Sequence, residues 1–306
     1  MKKIFIFIGM CFLRLSIHAQ QDPQYSMYMF NGLAINPAYA GSTEGLAANL
    51  LYRNQWTGIE GAPKTIVANV HRNFFEEKIG AGISFFNDQI GVMDRNTVSL
   101  AGSYHLNFEK GKLAFGIQAN YSQYAVGLST VQHNLDAGVM DPTFSTNLSE
   151  STFNFGAGVF YYSARWFGGI SVPGILQNNI SATEITGAER ALETPHIFYQ
   201  LGHVYPIDPM IDLKPSILVK QIANAPVNMD LNLNAYYKKF IGLGVGYRTN
   251  NALIAMLECQ VHPYLRLAYA YDRELTDIGT VAKHTHEVMI RFMMGQKGTQ
   301  ISPRLY

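Results

Sequence analysis

Over residues 227–248 apolar and polar side chains alternate at every second position. Val227, Met229, Leu231, Leu233, Ala235 and Tyr237 are apolar or aromatic, and Asn228, Asp230, Asn232, Asn234 and Tyr236 stand between them. After Lys238 and Lys239 the pattern restarts, with Ile241, Leu243, Val245 and Tyr247 alternating with Gly242, Gly244, Gly246 and Arg248. A period of two is that of an extended strand with one greasy and one wet face. The stretch therefore predicts a hairpin with almost no turn. A soluble sandwich has such strands too, so the recurrence and length of the pattern decide the fold class.

The pattern recurs along the whole chain. Leu46, Ala48, Leu50 and Tyr52 carry it first, then Ile66, Ala68 and Val70, then Ile79, Ala81, Ile83 and Phe85. Further strands are predicted near 95–107, 111–123, 151–163, 165–173, 195–206, 210–221, 227–238, 239–249, 251–261, 263–273 and 283–295, fourteen in all. Most are about ten residues long. Globular strands run about five or six, whereas a tilted membrane-spanning strand needs about 9–11. The connections after even strands are tiny: 75–78, 108–110, 163–164, 207–209, 238–239 and position 262. Those after odd strands include 124–150, 174–194, 222–226 and 274–282. Short turns on one rim and long loops on the other mark an outer-membrane barrel, the short rim being periplasmic. The fold class expected is all-β, a transmembrane antiparallel β-barrel of the outer-membrane type with about fourteen strands.

Composition agrees with this. Charged residues are 15% and aromatics 12% of the chain, against roughly 25% charged in an average soluble domain. Lys2 and Lys3 precede an apolar run over residues 4–13, and Ile17-His18-Ala19 resembles a signal-peptidase site, so cleavage is expected after Ala19. The expected organisation is a signal peptide over 1–19, a lead segment over 20–45, the barrel over 46–295 and a tail over 296–306. Without Lys2, Lys3 and Arg14 the 23 basic residues fall below the 22 acidic ones, leaving a net charge of about −2. No nucleic-acid partner is indicated. Cys259 alone remains after the signal, so an intramolecular disulfide is excluded, and its place on the apolar side of a strand makes it a small hydrophobe.

With this topology both termini are expected on the periplasmic side, so 20–45 and 296–306 face the periplasm or enter the lumen. The polar strand faces line a wet lumen carrying Arg53, His71, Lys214, Asp230, Arg248, Glu258, Arg266, Asp272, Glu287 and Arg291. Mixed signs point to internal pairing rather than an ion path of one sign. The strand glycines, such as Gly156 and Gly158 or Gly242, Gly244 and Gly246, would let a backbone or plug come close. The lead has no sustained period but is dense in aromatic and Met residues. Tyr25, Tyr28, Phe30, Asn36, Pro37 and Tyr39 are its candidates for partner binding or for plugging the lumen. Catalytic, cofactor and metal sites are not expected. His284 and His286 share a strand face while Glu287 points away, and no Gly-x-Ser-x-Gly elbow exists.

Several stretches resemble one family. They are QDPQYSMYMFNGLAINPAYAGS in the lead, RNQWTGIEGAPKT over 53–65, GISVPGIL over 169–176, LKPSILVK over 213–220, YAYDREL over 269–275, HTHEVMIRF over 284–292 and the terminal SPRLY. Together they resemble the PorP/SprF family of the type IX secretion system of Bacteroidetes, in order along the mature chain. Gly32 departs from the pattern, standing where a larger residue or Pro is expected. The resemblance implies a non-enzymatic outer-membrane barrel that aids export or surface attachment of client proteins with a C-terminal sorting domain, such as gliding adhesins. Its implied partners are outer-membrane lipid, the periplasmic lipoprotein ring of the machine and the client. The alternative is a transport barrel for a small hydrophobic or sugar-like solute.

Overall fold

The structure, a computed structural model, describes residues 24–129, 147–179, 192–223, 225–249, 252–281 and 284–294. The expected signal peptide, the tail 296–306 and most of the two longest loops lie outside these residues. The strands are β1 (Leu46–Asn54), β2 (Lys64–Phe74), β3 (Ile79–Ile90), β4 (Met93–Phe108), β5 (Gly111–Val126), β6 (Leu148–Tyr162), β7 (Trp166–Val172), β8 (His196–His203), β9 (Tyr205–Asp208), β10 (Ile211–Ile222), β11 (Asn228–Tyr237), β12 (Ile241–Arg248), β13 (Ala252–His262), β14 (Leu265–Glu274) and β15 (His284–Met294). β8 and β9 both pair with β10 and are separated only by the buried Val204, so they form one broken stave. β1 pairs with β15 from Leu46↔Met294 onward, which closes the sheet. The result is a closed antiparallel barrel of fourteen staves in the outer membrane.

The period of two sorts the faces. Along β12 exposed and buried residues alternate without a break, Ile241, Leu243, Val245 and Tyr247 facing out. Outward aromatics gather at two levels. Phe74, Phe108, Tyr161, Trp166, Tyr205, Tyr237 and Tyr264 sit near the short-turn rim, while Tyr52, Phe85, Tyr121, Phe153, Tyr247 and Tyr269 sit toward the other. Two aromatic girdles flanking an apolar band are what a bilayer selects.

The short rim is turned tightly. Lys238 and Lys239 both have positive φ, at 48° and 59°, as a two-residue hairpin turn requires. One expected turn moves: the stave runs on to Asp208, so that turn falls at Pro209 and Met210 rather than over 207–209. The segregation of loop length has an exception, since β3 and β4 are joined on the long-loop rim by Gly91 and Val92 alone.

In the interior one expectation is corrected and one of two open placements is taken. It is packed, not wet, along the lead: Met27, Tyr28, Met29, Phe30, Ile35 and Tyr39 are buried in apolar clusters completed by strand residues. The described lead also starts at the wrong end for a periplasmic tail. Ser26 lies at the level of Arg53 and Asp272, near the outer ends of β1 and β14, and the chain runs down to join β1 at the periplasmic rim.

Candidate functional site: the lumen plug

The lead folds as three single 3-10 turns, Tyr28–Phe30, Gly32–Ala34 and Pro37–Tyr39. Pro37 supplies the fixed φ of a first helical position. The Asn36 side chain caps that turn, its Oδ1 accepting from Ala38 N at 2.9 Å while its Nδ2 donates to Val159 O of the wall at 3.1 Å. Short turns leave many backbone groups unpaired, and the wall satisfies them. Ser171 Oγ donates to Ile35 O at 2.6 Å, Ser103 Oγ donates to Ala40 O at 2.7 Å, and Gly41 N donates to His71 Nδ1 at 3.1 Å. Asn69 Nδ2 donates to Asn31 Oδ1 at 2.5 Å.

The wall makes room where it lacks side chains. A Cβ on Gly116 would overlap the backbone of Ala38, and one on Gly158 the side chain of Asn36. The expectation of close approach at glycines therefore meets the plug at Gly158 but not elsewhere in the sets it named. Gly156 faces Pro173 O, and Gly242, Gly244 and Gly246 are covered by Tyr236, Asn234 and Asn232 of the neighbouring strand. Gly32, the departure from the family pattern, lies under the ring of Tyr39, where any Cβ would collide. That ring also stands against Phe160 and His71 at 5.3 and 5.4 Å between centroids.

At the outer pole the plug end enters a charge cluster. Arg53 pairs with Asp272 and Glu287, each at 2.9 Å, and Arg248 pairs with Asp230 at 2.8 Å. Two cations meet three carboxylates, and the plug adds the donors that balance them. Glu287 accepts from Ser26 N at 3.0 Å and from Met27 N at 2.9 Å, while Ser26 Oγ donates to Asp272 at 2.6 Å. Below, the Tyr28 hydroxyl lies 3.4 Å from Ser216 Oγ and accepts from Asn232 Nδ2 at 3.1 Å. Burial pushes the Tyr28 phenol above its ordinary pKa, so it stays neutral.

The inner pole has the opposite balance. Glu258 pairs with Arg266 and lies 3.5 Å from Arg291. Phe30 presents its ring to Lys214 at 5.1 Å and to Arg291 at 5.2 Å, a cation–π arrangement strengthened by exclusion of water.

All ten polar side chains expected in the lumen are buried there, five at the outer pole, four at the inner pole, and His71 beside Gly41. Of the lead candidates, Tyr28, Phe30, Asn36, Pro37 and Tyr39 are buried and Tyr25 is half-buried, which leaves their side chains facing the barrel rather than the periplasm. Ser26, Asn31, Ser103 and Ser171 escaped the sequence analysis because a small hydroxyl or amide carries no signal for a partner far away in the chain. His284 and His286 are on the outer surface, hydrogen-bonded to Tyr271 and Tyr269, and the described residues contain no metal-binding cluster. Beside the plug, between it and the wall, is a cavity of about 140 Å³ lined in part by Leu33, Ile35, Phe86, Arg95, Glu193 and Phe198.

The family model described as type IX secretion system membrane protein PorP/SprF matches residues 17–292. No curated protein matches the chain. Among solved structures, the Ralstonia pickettii toluene transporter TbuX aligns with a TM-score of 0.51 at 11% identity, covering 88% of this chain and 93% of its own. A Pseudomonas aeruginosa FadL homologue gives 0.48 at 11% identity over 90% and 95% of the two chains. The translocator domain of the autotransporter NalP from Neisseria meningitidis gives 0.45 at 11% identity over 82% and 89%. The first of these likenesses shows the barrel fold and nothing finer.

Proposed function

The chain belongs to the PorP/SprF family of type IX secretion system membrane proteins, and from that premise we propose that it is a plugged, non-enzymatic barrel serving the export or surface attachment of client proteins. The clients are proteins with a C-terminal sorting domain, and the periplasmic partner is the lipoprotein ring of the secretion machine. The observation that carries this reading is the plug. A lumen crossed by a lead whose backbone is tied to Glu287, His71, Ser103 and Ser171 favours a docking body over a pore for a solute. With the lead inside the barrel, contact with the ring falls to the short periplasmic turns. Among these is the turn carrying Phe75, Glu76 and Glu77, all at positive φ, with Phe75 and Glu76 exposed and Glu77 half-buried against Lys112.

The test is deletion of the gene, then complementation with the full chain or with a chain lacking residues 22–41 behind the native signal. The full chain restores secretion of a reporter bearing a C-terminal sorting domain and does not conduct in planar bilayers. The deleted chain conducts. Normal reporter secretion in the gene deletion would refute the role in export, and a conducting full chain would favour the solute transporter.

A further inference from the structure

The lipid-facing side of the wall carries a furrow of about 700 Å³ that runs from Trp166 on β7 to Leu253 on β13. Its floor is a single paired row, Gly202↔Ser216, Ser216↔Asn232 and Asn232↔Gly246, and all four residues turn inward. Leu201, Leu231 and Tyr247 stand along one bank, Leu233 and Val245 along the other. Pleating leaves a shallow dip between any two outward rows. This one is deeper because Pro215 and Ile217, one in each bank, stay half-buried. From β7 to β13 the row crosses five strand intervals, about 24 Å at ~4.8 Å each. Barrel strands tilt by about 35–45°, so a row across them climbs as it circles the wall. It thereby joins the periplasmic girdle at Trp166 to the outer girdle at Tyr247.

The furrow begins at the broken stave. Pairing with β10 passes from Ser216↔Gly202 to Leu213↔Tyr205, which leaves His203 and Val204 opposite Lys214 and Pro215. Pro215 has no N–H to lose there, and Val204 N donates instead to Arg165 O of the preceding turn at 3.0 Å. On the outer face the imidazole of His203 stands between two rings, 4.1 Å from Trp166 and 4.0 Å from Tyr205 between centroids. Arg165 is near enough for its charge to act on that imidazole. Among the described residues no carboxylate is ion-paired with Arg165, and the enclosed Nδ1 of His203 has no hydrogen-bond partner. A cation and a polar ring thus stand at the periplasmic end of an apolar furrow, with their polar capacity not spent on the protein.

We propose that this is a binding site for one phospholipid of the periplasmic leaflet, with its phosphate at Arg165 and His203 and one acyl chain lying along the furrow. The site stands on the wall alone and does not depend on the secretion role. Width selects the occupant. The two banks are two residues apart along the strands, about 6.6 Å, whereas a helix with its side chains is about 10–12 Å across. A strand laid in the furrow would cross the wall strands at right angles and find no ladder to join. An acyl chain is narrow, apolar throughout and needs no hydrogen bonds, and it belongs to the medium that already bathes this face. The charge at the end of the furrow selects the head: a phosphate is the anion that a guanidinium binds best, and the girdle is the level at which phospholipid phosphates lie. A lipid held there covers the fault between His203 and Pro215 from the membrane side.

The test takes the full chain from its own outer membrane into mild detergent and weighs it by native mass spectrometry. One phospholipid per chain is expected to survive detergent exchange. Arg165→Glu should lower its occupancy at least tenfold, while Lys110→Glu, an exposed cation on another periplasmic turn, should leave it unchanged. Barrel assembly is checked by heat-modifiable mobility. If Arg165→Glu does not assemble, the native chain decides, in vesicles of phosphatidylethanolamine and phosphatidylglycerol. There a phosphatidylglycerol with a diazirine in one acyl chain should label peptides holding Leu231 and Val245 at least tenfold more than those holding Ile83 and Leu100, which are exposed on β3 and β4. Even labelling of the two faces, or equal loss in the two charge variants, would mean annular lipid only and overturn the proposal. Retention of lipid A, of a second copy of the chain or of no lipid at all would also overturn it.

Discussion

Gly116→Ala puts one methyl group between wall and plug. An ideal Cβ at Gly116 overlaps the backbone N and Cα of Ala38, so no side-chain rotation relieves the clash. Ala38 cannot retreat cheaply, because Asn36 caps its turn and Ser103 holds Ala40 O at 2.7 Å. Overpacking a filled interior costs about 1–3 kcal/mol, and a rigid backbone obstacle places this site at the upper end. Gly102 is the control: it lies on the next strand, and a Cβ there meets nothing within 4 Å. Gly102→Ala should gain about 0.4–1 kcal/mol by restricting the unfolded chain. The difference between the two variants is then about 2–4 kcal/mol, roughly 30- to 1000-fold in an equilibrium constant. Urea titration followed by heat-modifiable mobility measures it, and planar-bilayer conductance reports whether the plug has shifted. Gly116→Ala should unfold at lower urea and show conductance bursts absent from Gly102→Ala. Equal midpoints and two silent barrels would refute the fit of plug to wall.

Three further outcomes follow from the same geometry. Leu231→Arg, on the lipid face, should cost about 2–4 kcal/mol in refolding titrations into liposomes. Asn232→Arg should also be damaging, because its neighbour is the buried Tyr28 hydroxyl at 3.1 Å and not lumen water; a neutral result there would mean that the lumen is wet at this level. Glu287→Ala removes the acceptor of two plug N–H groups and one partner of Arg53, and breaking a buried pair costs about 3–5 kcal/mol. A cysteine at Ser26 should then react with an impermeant maleimide on intact cells at least tenfold faster than in the parent; an unchanged rate would mean that Glu287 does not hold the plug end. A cysteine at Glu60 should label on intact cells and one at Lys239 only after permeabilisation, and the reverse would invert the topology.

How far the structure was legible in the sequence depends on the range of each interaction. Alternation along 241–248 needs only neighbours, so the faces of Leu243 and Gly244 were readable from composition and spacing alone. Strand number and rim polarity followed from repeating that local rule and from loop length. The break at Val204 and the turn at Pro209 were missed because Tyr205 to Asp208 has no period that distinguishes strand from turn. The lead was harder. Its aromatic density marked it as buried or partner-bound, but the contacts that decide between these join residues 26 and 287 or 36 and 159. Nothing local in Ser26 announces an Asp272 partner. For the same reason nothing local showed that Gly116 seats the plug at Ala38.

The two poles of the lumen explain why the plug has one orientation. At the outer pole three carboxylates face two arginines, and the deficit of positive charge is met by neutral donors, Ser26 Oγ and the Ser26 and Met27 N–H groups. At the inner pole Arg266 and Arg291 share one Glu258, and the face of Phe30 is turned to Arg291 and Lys214. A reversed plug would bring the electron-rich ring to the acidic pole and leave the donors among cations, an arrangement opposed at both ends by electrostatics in a water-poor interior. The mixed signs that pointed to internal pairing in the sequence thus have a positive role, which is to hold one segment in one register. The glycine seats on β5 and β6 then fix its height.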